Sequence, residues 1–534
     1  MRTPLLALAT LLLVLQPSSH VLAQGPLTPP GAPAPTMRTL DQIEPRTPIS
    51  ALPFTISSPG SYYVTANLTG VAGQHGISVN ASGVALDLGG FELAGVGGGL
   101  AHGIRIVTGR TNVTIRNGTV RGWGGTGIAA ENVNCTELRI ENMRILSNLG
   151  SGIAGANGTT VKGCEVRGNT FTGIALSADC KVIECTVAGQ TGAGADGISV
   201  GGSSVVVDCT ASSNPGDGIV AGSSSTLRGC TARANGSVGF SALSGSALAG
   251  CTATGNSSSG FLLGSFCNVT HCTATSNVLH GFTSSSGGTF NGCAAAANGS
   301  HGFNASDATT FSSCSTFNNT ANGFNATAAA TLSHCSAESN QGASGIGVST
   351  AATIIGCTVR VHTSTLASSA GITTNTECLV SQCVVSNSDS TAGTLTNSTG
   401  MGISVQNASI VERCIVQASR GDGIRATGQC IIRDNVADSS GNGAGDGAGI
   451  HTISNDNRIE GNNVTNGDRG IEVGVTGSLI IRNSAAGNAT HYVIAASNRY
   501  GAILDISAAG AAAVNGSAAA GTLTSTDSTA NYSY

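Results

Sequence analysis

Residues 230–277 read CTARANGSVGFSALSGSALAGCTATGNSSSGFLLGSFCNVTHCTATSN, and two spacings inside that stretch decide the fold. Cys230, Cys251 and Cys272 stand 21 residues apart, and Gly239 and Gly260, each followed by Phe, keep the same interval. Followed outward, the cysteine column starts at Cys164 and ends at Cys414, and Gly followed by Ile or Phe opens eighteen successive repeats from Gly76 to Gly470. Asn stands five residues after the Cys in seven successive repeats, from Asn214 to Asn340. Apolar and polar residues alternate by two in short runs broken by Gly and Asn, which is the pattern of brief strands joined by tight turns. The 3.6-residue period of a helix is missing, and Gly and β-branched residues are too frequent for one. A single 21-residue coil cannot bury its own interior, but stacked coils bury a continuous column and let each strand pair above and below.

Where the repeat slips also points to stacking. From Ile153 to Asn435 the step from the residue after Gly to the Cys column is eleven in all thirteen repeats, whereas the return step varies from 10 to 20. Insertions are therefore confined to one corner of the coil, at about residues 188–196, 362–370, 386–401 and 437–448. About eighteen coils spaced roughly 4.8 Å apart predict a rod about 80 Å long.

These repeats resemble the right-handed parallel β-helix repeat of the pectate-lyase-like superfold. The opening coil, from Phe54 to Leu93 with Gly60, Ser61, Tyr62, Tyr63 and Val84 to Leu88, resembles uncharacterised secreted bacterial members. The resemblance spans roughly residues 54 to 505 and implies an all-β, single-stranded right-handed parallel β-helix. On activity it implies little, because this architecture carries lyases, hydrolases, epimerases, adhesins and inert scaffolds. The arginine-rich and paired-Asp motifs of pectate lyases and polygalacturonases are not recognisable.

The flanks set the domain plan. Arg2, the apolar run Leu5 to Leu15 and the small-residue site Val21-Leu22-Ala23 predict an export signal over residues 1–23, cleaved after Ala23, which places the mature chain outside the cytoplasm or on the cell surface. That run is too short to span a bilayer. Residues 24–39 are proline-rich and predict a linker. Residues 40–75 are expected to cap the rod, 76–505 to form the β-helix, and 506–534 to form a tail or second cap over an otherwise exposed strand edge. After Pro59 only Pro215 follows, as an uninterrupted sheet requires.

Charge excludes one class of partner. A net charge of −5 and 10% charged residues supply no basic surface for a phosphate backbone, so nucleic acid is not expected. Seventeen cysteines in an exported chain raise the question of bridges. In-register neighbours point the same way and suit a disulfide dihedral poorly, so buried free thiols are expected along the column. Cys180, Cys267, Cys378 and Cys430, five residues earlier in their coils, are the members that could bridge. No paired cysteines with histidines make a zinc pattern.

Candidate binding residues lie in the column just before the repeat Gly, at the variable corner: Asp196 with Asp217, His280 with His301, and His75 with His102, each pair in adjacent coils. Stacking would hold the Asp196 and Asp217 backbones about 5 Å apart, near the carboxylate separation of retaining glycosidases and suited to Ca²⁺. Asp, Asn, Ser and His also favour that turn position for structural reasons alone. Glu184 and Asp208 form another stacked acidic pair, before the Cys column. No catalytic residue and no bound metal is assigned. The leading expectation is a non-catalytic rod that binds glycan, adheres or is structural. The alternative is a polysaccharide lyase or glycoside hydrolase working at the variable corner, with Ca²⁺ as its only cofactor.

Overall fold

The computed structural model describes residues 46–130, 135–366, 368–390, 399–441, 447–505 and 526–534. The expected export signal and linker, and most of the expected tail, lie outside these. Among the described residues every regular element is a strand, and no helix is long and apolar enough to cross a membrane. The unit from Thr47 to Tyr534 is one right-handed parallel β-helix of about 20 turns.

One coil serves for all. Ile174–Leu176, Lys181–Ile183 and Thr186–Ala188 are its three strands. The first pairs in parallel with Ile153–Gly155 below and Ile198–Val200 above, and these first strands form one sheet along the rod. The second and third strands form the other face, joined where Thr111–Arg121 and Thr136–Leu146 run through both positions. The turn count exceeds eighteen because the first and last coils lack the repeat signature: Phe54 follows Pro53 and Tyr492 follows His491, yet both lie in strands of the first sheet. Strands begin at Thr47–Ile49, inside the segment expected to be a cap, and Asn531–Ser533 pairs with Ser484–Ala486 at the other end.

Each repeat residue has a mechanical reason. A Cβ placed on Gly281 would lie 2.6 Å from the Gly302 carbonyl oxygen and 2.9 Å from the Ala295 methyl, so only glycine allows this close approach between coils. The following residue points inward: Phe240, Phe261, Phe282 and Phe303 are buried and stack with ring centroids 4.6–4.8 Å apart. All seventeen cysteines are buried and unbridged. They act as small apolar side chains along the inner wall, with thiols directed at backbone carbonyls such as Val206 O, 3.4 Å from Cys230 Sγ.

The Asn column forms a ladder. From Asn214 to Asn319 each side-chain oxygen but the first accepts both the backbone N–H and the Nδ2 of the Asn one coil earlier, at 2.9–3.1 Å, and each Nδ2 also donates to a carbonyl, as Asn256 does to Ala232 at 3.2 Å. A left-handed residue precedes each ladder member and turns the chain so that the amide faces in; Ala234 (φ 53°) and Ser276 (φ 55°) do so without being glycine.

Candidate functional site

The predicted residues tie coils together. Asp196 Oδ1 accepts the Asp217 N–H at 2.8 Å, and Asp217 Oδ1 accepts the Val238 N–H at 2.9 Å. His280 Nδ1 accepts the His301 N–H at 3.3 Å, His301 Nδ1 accepts the Asn322 N–H at 3.1 Å, and the two rings stack at 5.3 Å. His75 and His102 repeat the arrangement. Burial raises the Asp196 carboxyl above its usual range and, with His280 adjacent, pulls His301 down to about 4. Each of these side chains thus caps the N–H of the next coil. Glu184 and Asp208 sit at left-handed corners elsewhere, with Glu184 3.9 Å from Lys162 Nζ. Trp123 is buried, its indole N–H donating to the Leu93 carbonyl at 3.1 Å, so it offers no platform to a sugar.

The same column has one member that does more. Asp422, before Gly423, caps the Ala448 N–H with Oδ1 at 3.0 Å, and its Oδ2 lies 2.9 Å from His451 Nδ1 and 3.4 Å from Arg425 NH1. Its side chain is 0% exposed. A carboxylate at Nδ1 favours the tautomer that carries the imidazole hydrogen on that nitrogen. Nε2 faces Glu472 Oε2 at 3.9 Å, and Glu472 is held by Arg469 NH1 at 2.5 Å.

The parallel sheet makes this cluster. Arg425, His451 and Glu472 each follow the inward Ile of three successive first strands and are direct register partners, so their side chains share one face at one-coil spacing. Elsewhere in this row the residues are small, polar or apolar, as in Ser199, Val220, Thr283 and Ser404; only Arg105 is also ionisable. Sequence reasoning read the column before Gly and picked adjacent like residues, so Asp422, whose column neighbours are Met401 and Ala448, was passed over. The signal lay two residues after Gly, in the run Arg425, His451, Glu472.

A cleft of about 410 Å³ is lined by Asn387, Asp389, Arg420, Ser439 and Asn466, among others, and by none of the cluster's side chains. The insertions expected at this corner flank it. Thr363–Ser364 and Asp389–Ser390, from two of them, pair as an added two-stranded sheet, and Arg420 bonds Asp389 Oδ1 at 3.1 Å and the Ser390 carbonyl. Arg420 is two residues from Asp422 along the chain. Among the described residues no group of three or more His, Cys, Asp or Glu side chains is arranged to hold a metal ion.

A model of the right-handed β-helix region matches residues 102–247 and 152–290. No curated protein matches the chain. Among solved structures, the chain is similar to the A-module of the Azotobacter vinelandii mannuronan C-5 epimerase AlgE4 (14% identity, 71% of this chain and 86% of that one, TM-score 0.22). It is also similar to pectate lyase Pel9A (17% identity, 53% and 69%, TM-score 0.25) and to the catalytic domain of a GH87 α-1,3-glucanase (10% identity, 61% and 60%, TM-score 0.26). At these values the likeness says nothing about chemistry.

Proposed function

We propose that this right-handed parallel β-helix is a polysaccharide-processing enzyme of lyase type, with its working face at Arg425, His451 and Glu472. The carrying observation is the oriented histidine: the sealed carboxylate of Asp422 lies 2.9 Å from His451 Nδ1 and holds that side chain, itself 8% exposed, in one orientation, which assigns the base role to Nε2. Arg425 and Arg469, on either side along the rod, are suited to a uronate carboxylate, since an arginine fork pairs with that group and stabilises charge developing beside it. In the reaction, Nε2 takes the proton from the sugar carbon next to the carboxylate. The electron pair forms a carbon–carbon double bond, the glycosidic C–O bond on the far carbon breaks, and the departing oxygen takes a proton from the imidazolium or from water.

A glycoside hydrolase fits this face less well. It needs two carboxyl groups facing the sugar, and Asp422 is sealed beneath His451, leaving Glu472 alone. Asp422 is accordingly a positioning residue, acting through His451. An exported chain, as residues 1–23 suggest, would meet such polymers outside the cell.

The test is incubation with polyuronates and with neutral polysaccharides, following the ultraviolet absorbance of unsaturated ends. Polyuronate cleavage is expected, falling about 10²–10⁴-fold in His451→Ala with the fold retained. In Asp422→Asn the pH profile should also shift, which a structural role alone would not produce. Binding of polymer without product by the wild-type chain would favour the glycan-binding rod instead.

A further inference from the structure

The Asn ladder stops one coil short of the insertions. Asn319 donates its N–H to Asn340 Oδ1 at 3.1 Å, but the next four column positions are His362, Ser388, Ser419 and Ser440, and bonding resumes only where Gly467 N–H meets Asn488 Oδ1 at 2.9 Å. These four side chains are 1–2% exposed. Among the described residues none of the three Ser Oγ atoms has a hydrogen-bond partner, and neither ring nitrogen of His362 is bonded in good geometry, the carbonyls of Asn340, Gly342 and Ala343 lying near the ring. Five orphaned polar atoms in one file, in consecutive coils, stand apart from the ladder half, where the column amides are bonded from coil to coil. Buried polar groups that protein atoms leave unmatched are ordinarily satisfied by ordered water.

Cβ atoms built on Gly371, Gly402 and Gly423 would lie 2.8, 2.8 and 2.5 Å from Ser388, Ser419 and Ser440 Oγ, the place that Asn214 Nδ2 takes beside Gly197. Each serine therefore sets its Oγ where the ladder sets an amide nitrogen, but carries no amide oxygen to accept from the preceding coil. Ser388 and Ser419 also line the cleft beside Arg420, which gives the file an entrance from solvent.

We infer that this column is an internal water-binding seam, in which bound water bridges His362, Ser388, Ser419 and Ser440 to the coils on either side. The seam runs beside the turn that carries Asp422 and Gly423, where Ser440 Oγ meets Gly423. It replaces a direct amide-to-amide bond with an exchangeable one at the corner that bears the longest insertions. The inference does not depend on the lyase reading.

Two sets of substitutions in the full chain test it with opposite signs. If the hydroxyls anchor water, replacing Ser388, Ser419 and Ser440 together by Ala lowers Tm by a few degrees, and a high-resolution crystal map has a solvent peak within hydrogen-bond distance of each Oγ. If they are merely stranded in dry packing, the same change removes a desolvation cost and leaves Tm unchanged or higher; that result, or a seam without solvent peaks, overturns the inference. Ser388→Asn with Ser419→Asn, which rebuilds the ladder, should raise Tm and slow amide exchange at residues 386–390 and 418–421; unaltered exchange in a folded variant counts against it as well.

Discussion

Coils from Ile198 to Asn340 and coils from His362 to Val473 are wound to one plan but filled differently. The first group repeats at close to 21 residues, stacks Phe on Phe, and bonds its amides without a break from Asn214 to Asn340. The second interrupts that ladder, carries the longest insertions and gathers Asp422, Arg425, His451, Arg469 and Glu472 on one face. Stacking rewards sameness, since a like residue above and below completes every contact, whereas a reactive site needs unlike groups at one-coil spacing. The chain separates the two demands along its axis.

The comparison can be broken most severely in the stacked group. Phe282 lies between Phe261 at 4.6 Å and Phe303 at 4.7 Å and is fully buried. Phe282→Ala should cost about 3–5 kcal/mol in urea unfolding. Asn256→Ala comes next: it strands the Asn235 N–H and Nδ2, both now bonded to Asn256 Oδ1, and should cost roughly 2–4 kcal/mol. A loss there no larger than that of one serine in the broken column would erase the distinction.

Acid should act on both groups. Burial pulls His362 down to about 4, although the carbonyls of Asn340, Gly342 and Ala343 partly favour its charged form, and it pulls His301 to about the same value. Unfolded histidine titrates near 6.5, so between 6.5 and 4 the unfolded chain binds more protons than the folded one. The stability from a neutral imidazole is thus complete above 6.5 and lost as pH falls toward 4, by roughly 3 kcal/mol for His362. His362→Asn should flatten the Tm-against-pH curve over that window; an unchanged slope would remove His362 as a contributor. The smallest effect is expected at the surface, where Arg433 pairs with Glu412 at 2.5 Å with its own side chain 45% exposed. Arg433→Ala should shift stability only slightly and become silent in high salt.

The winding was legible because every coil restates it: the Gly that admits a neighbouring carbonyl, the inward Phe or Ile, and the Cys and Asn at fixed offsets all recur. The corner that tolerates insertions was legible for the same reason. The site was not, because it is made by departures from the repeat. Arg425, His451 and Glu472 are 26 and 21 residues apart with an insertion between the first two, and nothing local to any of them marks it. His280 and His301, by contrast, drew notice as a repeated pair, and repetition here signals capping. In a solenoid, the informative ionisable residue is the one that fails to recur.

Among the described residues every pairing of the first sheet joins a coil to its immediate neighbours. Pulled by its termini in an optical trap, such a chain has no single clasp to break. It should peel from an end coil by coil, in instalments of about 21 residues that each free about 70 Å of slack and in longer ones where the insertions lie, so the force trace would count the coils directly.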